Sequence, residues 1–235
     1  PNPTPTPTLT SAEQIARDGG LELIFEAETS SISAQELDQA AEVIRRRLKF
    51  IGVSASSVQV LDGRRIQVQV AGAADPETLT PLLEKVGLVE FVDTGDTPIE
   101  PGTLLYTDLD GPPFVTPGAI DKTYHTILTG SLVTSATVST NSLGKYQIDL
   151  VLNEQGKQIL ADFTRNNIGK YLTISYDRVC VMSPNIATEI QDGKTAIQGN
   201  LTLEEANRIA VALNSGTLPA PFKLVESREM PPNAP

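Results

Sequence analysis

The chain has 235 residues, with 18 Lys+Arg against 29 Asp+Glu and a formal net charge of −11. Its 40% hydrophobic content is enough for a buried core, and the length suits one large domain or two small ones. The acidic balance argues against a nucleic-acid partner, the lone Cys and lone His exclude an internal disulfide and the usual His/Cys zinc site, and no apolar run of about 18 residues is present to span a bilayer.

Residues 1–8 read PNPTPTPT, with no apolar face and a missing backbone donor at each proline, so a polyproline-like tether is expected, with a linker covering 1–18. Pro1 opens a polar run, so no signal peptide is read. The PPNAP stretch at 231–235 reads as a second tail, placed at 230–235.

Residues 21–28 alternate Leu21, Leu23, Phe25 and Ala27 with mostly acidic positions, which predicts a strand with one buried face. Ser33 and Glu36 form a capping box, followed by Leu37, Ala40, Ala41, Ile44, Leu48 and Ile51 at helical spacing and a stop at Gly52. Strands are expected over 57–61 and 65–70, joined by a turn at Asp62-Gly63. Asp75-Pro76 starts a short helix burying Leu79, Leu82, Leu83 and Val86 up to Gly87, and a strand follows over 88–93. The resulting order β-α-β-β-α-β is the split βαβ, ferredoxin-like arrangement.

Residues 95–118 are rich in Pro, Gly, Asp and Thr and read as the boundary between subdomains. An apolar stretch covers 132–138 and a strand 146–152. Asn153 caps a helix that buries Ile159, Leu160 and Phe163 and ends near Asn167. Strands at 171–176 and 179–182 turn at Asp177-Arg178. Thr202 and Glu205 form a second capping box for a helix burying Ala206, Ile209, Ala210 and Leu213, stopped by Gly216. An extended connector, Leu218-Pro219-Ala220-Pro221, leads to a last strand over 222–227. The expected class is α+β, with a ferredoxin-like base at 19–95 completed by a strand at 219–229, and an α+β head at 96–218.

Motifs of catalysis fail on their spacing. No G-x-S-x-G elbow exists, and His125 lies in a Thr-rich, loop-like stretch. Gly193-Lys194-Thr195 would need Gly at position 188, where Thr stands. Asp108-Leu109-Asp110-Gly111 lacks the frame of a calcium loop and reads as a turn. Cys180 within a strand reads as a packing residue, and Thr202 in Asn200-Leu201-Thr202 as a helix cap rather than a glycosylation site. Arg45-Arg46-Arg47 fans over about 200° of a helix, so it reads as a solvated face beside Glu42 rather than one basic patch. Pro-rich connectors at 98–117 and at Pro219-Pro221 suggest a double hinge, with Pro98, Pro101, Pro219 and Pro221 as candidates; a rigid pair of subdomains is the alternative.

The stretches Ala41-Glu42-Val43-Ile44-Arg45-Arg46-Arg47-Leu48, Ile51-Gly52-Val53-Ser54, Leu152-Asn153-Glu154-Gln155-Gly156, Phe163-Thr164, Asn167-Ile168-Gly169-Lys170, Ser183-Pro184, Ile197 to Ala206 and Leu213-Asn214-Ser215-Gly216-Thr217-Leu218-Pro219-Ala220-Pro221 resemble SecD, a membrane subunit of the bacterial SecDF protein-export complex, in its first extracytoplasmic domain. The resemblance covers roughly residues 19–229, and the Leu213–Pro221 stretch is its most specific part. The family's Gly-Gly signature entering the first strand survives as Asp18-Gly19-Gly20, and its Gly-rich exit is replaced by Met230-Pro231-Pro232. The resemblance implies a non-enzymatic accessory of export, outside the cytoplasm, whose head contacts unfolded preprotein and swings relative to a ferredoxin-like base. The implied partners are a SecF-like subunit and the Sec translocon; the membrane is reached only through segments outside this sequence. No cofactor, metal or catalytic residue is expected. A sheet edge or apolar groove near Val133, Val138, Ile186 and Ile190 is the candidate preprotein site. The alternative is a stand-alone envelope protein or lipoprotein, anchored through the Pro-Thr linker, that reuses this fold for ligand binding or scaffolding.

Overall fold

The computed structural model describes residues 9–61, 63–72, 74–110 and 122–233. The Pro-Thr run at 1–8, Asp62 of the expected turn, Gly111 of the Asp-rich turn, Pro117 and the last two tail residues lie outside them. The chain divides into two compact units, Pro1–Val86 with Leu218–Pro235, and Gly87–Thr217.

In the first unit, Thr10 and Glu13 make a capping box that starts α1 (Ser11–Asp18). Strand β1 (Gly20–Ala27) is followed by α2 (Ala34–Phe50), whose Ser33–Glu36 box forms as the sequence predicts. Then come β2 (Ser56–Val60), β3 (Arg65–Ala71) and α3 (Pro76–Glu84), capped by Asp75. The unit closes with β11 (Phe222–Met230), and its antiparallel sheet has the order β11-β1-β3-β2. Leu21, Leu23, Phe25, Ile66, Val68 and Val70 send their side chains to one face, where Leu37, Ile44, Leu48, Leu79, Leu83 and Phe222 complete the core. On β1 the alternate side chains build a polar layer instead. The buried Glu22 carboxylate accepts from Gln67 Nε2 at 2.8 Å, Gln69 Nε2 at 2.7 Å and Arg228 Nη2 at 2.6 Å.

The cap carboxylates carry a pH dependence. Backbone N–H groups of Thr10, Ser33 and Thr202 donate to Glu13, Glu36 and Glu205 and hold them below their ordinary value of 4.5. A depressed acid contributes stability that is complete above the unfolded value and lost as pH falls through the folded one. Unfolding titrations should therefore show stability falling below pH 4.5, and Glu36→Gln should flatten part of that fall.

The second unit begins with β4 (Val89–Gly95), then β5 (His125–Thr129), β6 (Val133–Thr140), β7 (Tyr146–Leu152), α4 (Glu154–Asn166), β8 (Tyr171–Tyr176), β9 (Val179–Met182), β10 (Lys194–Ile197) and α5 (Leu203–Ser215). They form a four-stranded sheet, β5-β4-β8-β9, and a three-stranded sheet, β10-β7-β6. One core joins Phe91, Leu128, Ile148, Leu150, Leu160, Ile174, Ile209 and Leu213. The Asp177-Arg178 hairpin turn has φ of 47° and 69°, as a tight two-residue connection requires. Asp177 Oδ1 steadies it by accepting from Gly87 N at 2.8 Å and Leu88 N at 2.9 Å.

Several expectations are corrected. The strand at 88–93 does not complete the first sheet: β4 lies between β5 and β8, and four successive residues, Val89–Val92, are buried, so it needs cover on both faces. The fourth place of the ferredoxin-like sheet goes to β11, because Leu218 N returns to Val86 O at 2.9 Å and sets Phe222 beside β1. Residues 11–18 are helix rather than linker, since the Thr10–Glu13 box and buried Ile15 hold them. His125 starts a strand rather than a loop, its ring bonded to Asp108 and the next amide, Thr126 N, donating to Asp108 Oδ1 at 2.9 Å. Arg47 is no part of a solvated face: it is 1% exposed, with its guanidinium on the carbonyls that end α3.

Candidate functional site

The second unit holds a cleft of about 310 Å³. Its floor is the inner face of the four-stranded sheet, where Phe91 on β4, Leu172 and Ile174 on β8 and Met182 on β9 alternate inward. Leu160 and Thr164 on α4 form one wall, residues 184–190 another, and Thr195 and Ala196 on β10 with Gln198 the rim.

The 184–190 segment has no regular structure of its own, so its backbone groups must find partners elsewhere. Leu172 N donates to Pro184 O at 3.1 Å, Ile186 N to Lys170 O at 2.8 Å and Gly169 N to Ile186 O at 2.8 Å. The far end is pinned by Thr164, whose hydroxyl accepts from Ile190 N at 3.0 Å while donating to Leu160 O at 2.7 Å. Thr164 is fully buried, so Thr164→Val should cost about 1–2 kcal/mol and loosen the Ile190 wall. Faster amide exchange at Ile190, with α4 still protected, is the measurement.

Of the sequence-predicted site residues, Ile186 and Ile190 line this cleft. Val133 and Val138 do not; they sit half-buried on β6, two strands away from β10 across the three-stranded sheet. The expected hinge positions also separate. Pro98 and Pro101 lie inside the second unit, in a stretch fixed by Gly102 N on Cys180 O of β9 at 2.8 Å and by Ile99 N on Oγ of Ser183, just past β9, at 3.1 Å. The chain crosses between units at 86–87 and 217–218, so only Pro219 and Pro221 stand near a crossing. Sequence reasoning passed over Thr164 as a site residue; its place one turn after Leu160, within Phe163-Thr164, was the available signal.

The lining carries no acid, base or nucleophile; its polar groups are the hydroxyls and amides of Thr164, Asn185, Thr188, Thr195 and Gln198. Cys180, in the same sheet, is buried, its thiol pushed up to about 11 by desolvation and then by the charge of Glu100, so it stays protonated at neutral pH. Among the described residues no cluster of His, Cys, Asp and Glu could hold a metal ion, and no helix is long and apolar enough to cross a membrane. What this arrangement can do is receive apolar side chains and hydrogen-bond the polar groups attached to them.

The family models fit this organisation. The model for the SecDF P1 head subdomain matches residues 110–220, and that for the N-terminal part of the SecDF P1 domain matches residues 37–96. The chain belongs to the SecD family. The protein translocase subunit SecD of Thermobaculum terrenum is 27% identical over 92% of this chain and 52% of its own, and that of Leptotrichia buccalis 31% identical over 89% and 46%. The chain spans about half the length of the curated SecD relatives it matches. A crystal structure of SecDF in its super-membrane-facing form superposes with a TM-score of 0.75 at 26% identity, over 92% of this chain and 31% of that one. A SecDF structure described as a membrane component that enhances protein export gives 0.70 at 26%, over 87% of this chain and 98% of that one. The α+β class expected from the sequence is thus shared with SecDF, and every lining residue of the cleft except Phe91 lies within the part matched by the P1 head.

Proposed function

We propose that this chain is the extracytoplasmic domain of a SecD-type translocase subunit and that its head binds translocating polypeptide transiently in the 310 Å³ cleft. The observation that carries this is the cleft's lining: Met182, Pro184, Ala187, Ile190 and Ala196 offer accessible apolar area without charge over a buried floor of Phe91, Leu172 and Ile174, and neutral amides and hydroxyls border it. An extended chain turns alternate side chains to one face of a hydrogen-bonding backbone, and such a surface takes the apolar ones among them without reading sequence. The role is non-enzymatic. A SecF-like subunit and the Sec translocon are its partners, and movement of the head relative to the base accompanies the export cycle.

The test is a titration of a dye-labelled, permanently unfolded secretory polypeptide against the whole chain and against Ala187→Trp. Ala187 is an exposed lining residue, so the indole fills the cleft without entering the core. Affinity should fall roughly tenfold, equivalent to about 1.4 kcal/mol. Equal affinity for both proteins removes the cleft from the reading.

A further inference from the structure

The three-stranded sheet of the second unit ends on β6, eight residues reading VTSATVST. This edge has no charge and no proline, and five of its eight residues are Val or Thr, the composition that readily accepts another strand. Three other edges carry guards. On β11, Glu226, Arg228 and Glu229 are exposed, and Leu224 N is taken by Glu84 Oε1 at 2.7 Å. On β2, Arg45 Nη2 donates to Val58 O at 2.9 Å. On β9, Cys180 N donates to Thr103 O at 2.8 Å.

The guard on β6 is of another kind. Asn214, at the end of α5, accepts from Ala136 N at 3.2 Å and donates from Nδ2 to Ala136 O at 2.8 Å, with Ala210 O at 2.7 Å on the same nitrogen. The side-chain amide thus offers Ala136 the donor and acceptor that a peptide unit of a neighbouring strand would offer. Since Ala136 turns both groups away from β7, alternation turns those of Val138 outward too. We propose that the β6 edge is a strand acceptor for extended polypeptide and that Asn214 is its latch. This rests on the polypeptide-binding reading above and adds a second contact to it. A peptide unit is the group that reproduces both bonds of the Asn214 amide. A second copy of a chain with net charge −11 would be repelled, so the occupant is a different, extended chain.

The experiment uses the whole chain and a dye-labelled peptide of alternating threonine and valine, as long as β6 and ending in lysines. Asn214→Leu removes the amide at similar volume. It should raise affinity for the probe about tenfold, and the probe should slow exchange of the Val138 amide. Adding Val138→Pro, which deletes the outward donor but no bond to β7, should return affinity to the starting value. If Asn214→Leu does not fold, Asn214→Asp keeps the acceptor for Ala136 N and loses the donated bonds, and should give a smaller gain in the same direction. Unchanged affinity in a folded variant overturns the proposal, as does a gain that Val138→Pro leaves intact. Sedimentation showing a dimer that the probe cannot disperse assigns the edge to a second copy and also overturns it. The Ala187→Trp chain serves as the control: it should retain this binding, so failure of the cleft and failure of the latch are separable.

Discussion

Arg47→Ala is expected to destabilise the first unit by about 3–5 kcal/mol, a large share of what holds a small domain folded. Helix α3 has nine residues, Pro81 inside it and no basic residue in its last turn, so the carbonyls at and just beyond its end need donors from elsewhere. Arg47 supplies them from α2, with Leu218 N as the second donor to Val86 O at 2.9 Å. Its Nη1 donates to Leu82 O at 2.8 Å and Lys85 O at 2.7 Å, and its Nη2 to Val86 O at 2.8 Å. Alanine would leave these carbonyls with a space where the guanidinium stood, in a place 1% exposed in the native chain. Urea unfolding followed by circular dichroism should show the loss, with Arg47→Lys recovering a part because one ammonium cannot reproduce the fork. Arg46→Ala, on the exposed side of the same helix, should stay within about 0.5 kcal/mol of the parent. A loss below about 1 kcal/mol for Arg47→Ala would show that water replaces the clamp.

That clamp was legible in part. Arg47 stands three residues after Ile44 and four after Val43, both buried, so helical spacing places it on the apolar stripe. Three consecutive arginines look alike in a charge count, and only their angular positions separate Arg47 from its neighbours. Strand and helix patterns were otherwise read well where a cap or strict alternation marked them, as at Ser33, Asn153 and Thr202. Helix α1 carried the same Thr10–Glu13 signature, masked by the Pro-Thr run before it and by having Ile15 as its one buried residue. Strand β10 has four residues with Ile197 alone buried, too little for periodicity to show. Partners were the least legible. Alternation identifies a strand but not its neighbour, and Glu90 interrupts the apolar run, so the sequence does not show that β4 lies between β5 and β8 with Val89–Val92 buried. Ile186 and Ile190, apolar and surrounded by polar residues in the sequence, both line the cleft. Val133 and Val138 look the same in sequence, and only the order of the strands separates them from the cleft.

The second large effect is expected at Gly20, in the Asp18-Gly19-Gly20 stretch that enters β1. Gly20 is sandwiched, paired with Met230 on one side and Ala71 on the other. A Cβ built there would stand 2.0 Å from Val70 O, 2.9 Å from Val70 C and 3.1 Å from Ala71 Cα. All are backbone atoms, so no rotamer relieves the overlap, and β3 itself must move. That movement pulls on Gly72 N to Gly19 O and on Ala71 N to Ala55 O, both 3.0 Å, which hold this end of the sheet together. Gly20→Ala should therefore cost about 3 kcal/mol or more, beyond the usual range for one added methyl in a packed site. Gly52 provides the contrast: at φ +85° with nothing within 4 Å, its replacement by alanine costs only the backbone strain of a left-handed residue, about 1–2 kcal/mol. Chemical denaturation of both variants separates the two causes. If the two losses are equal, β3 yields to the methyl group without penalty and the close approach at Gly20 does not set the width of the sheet.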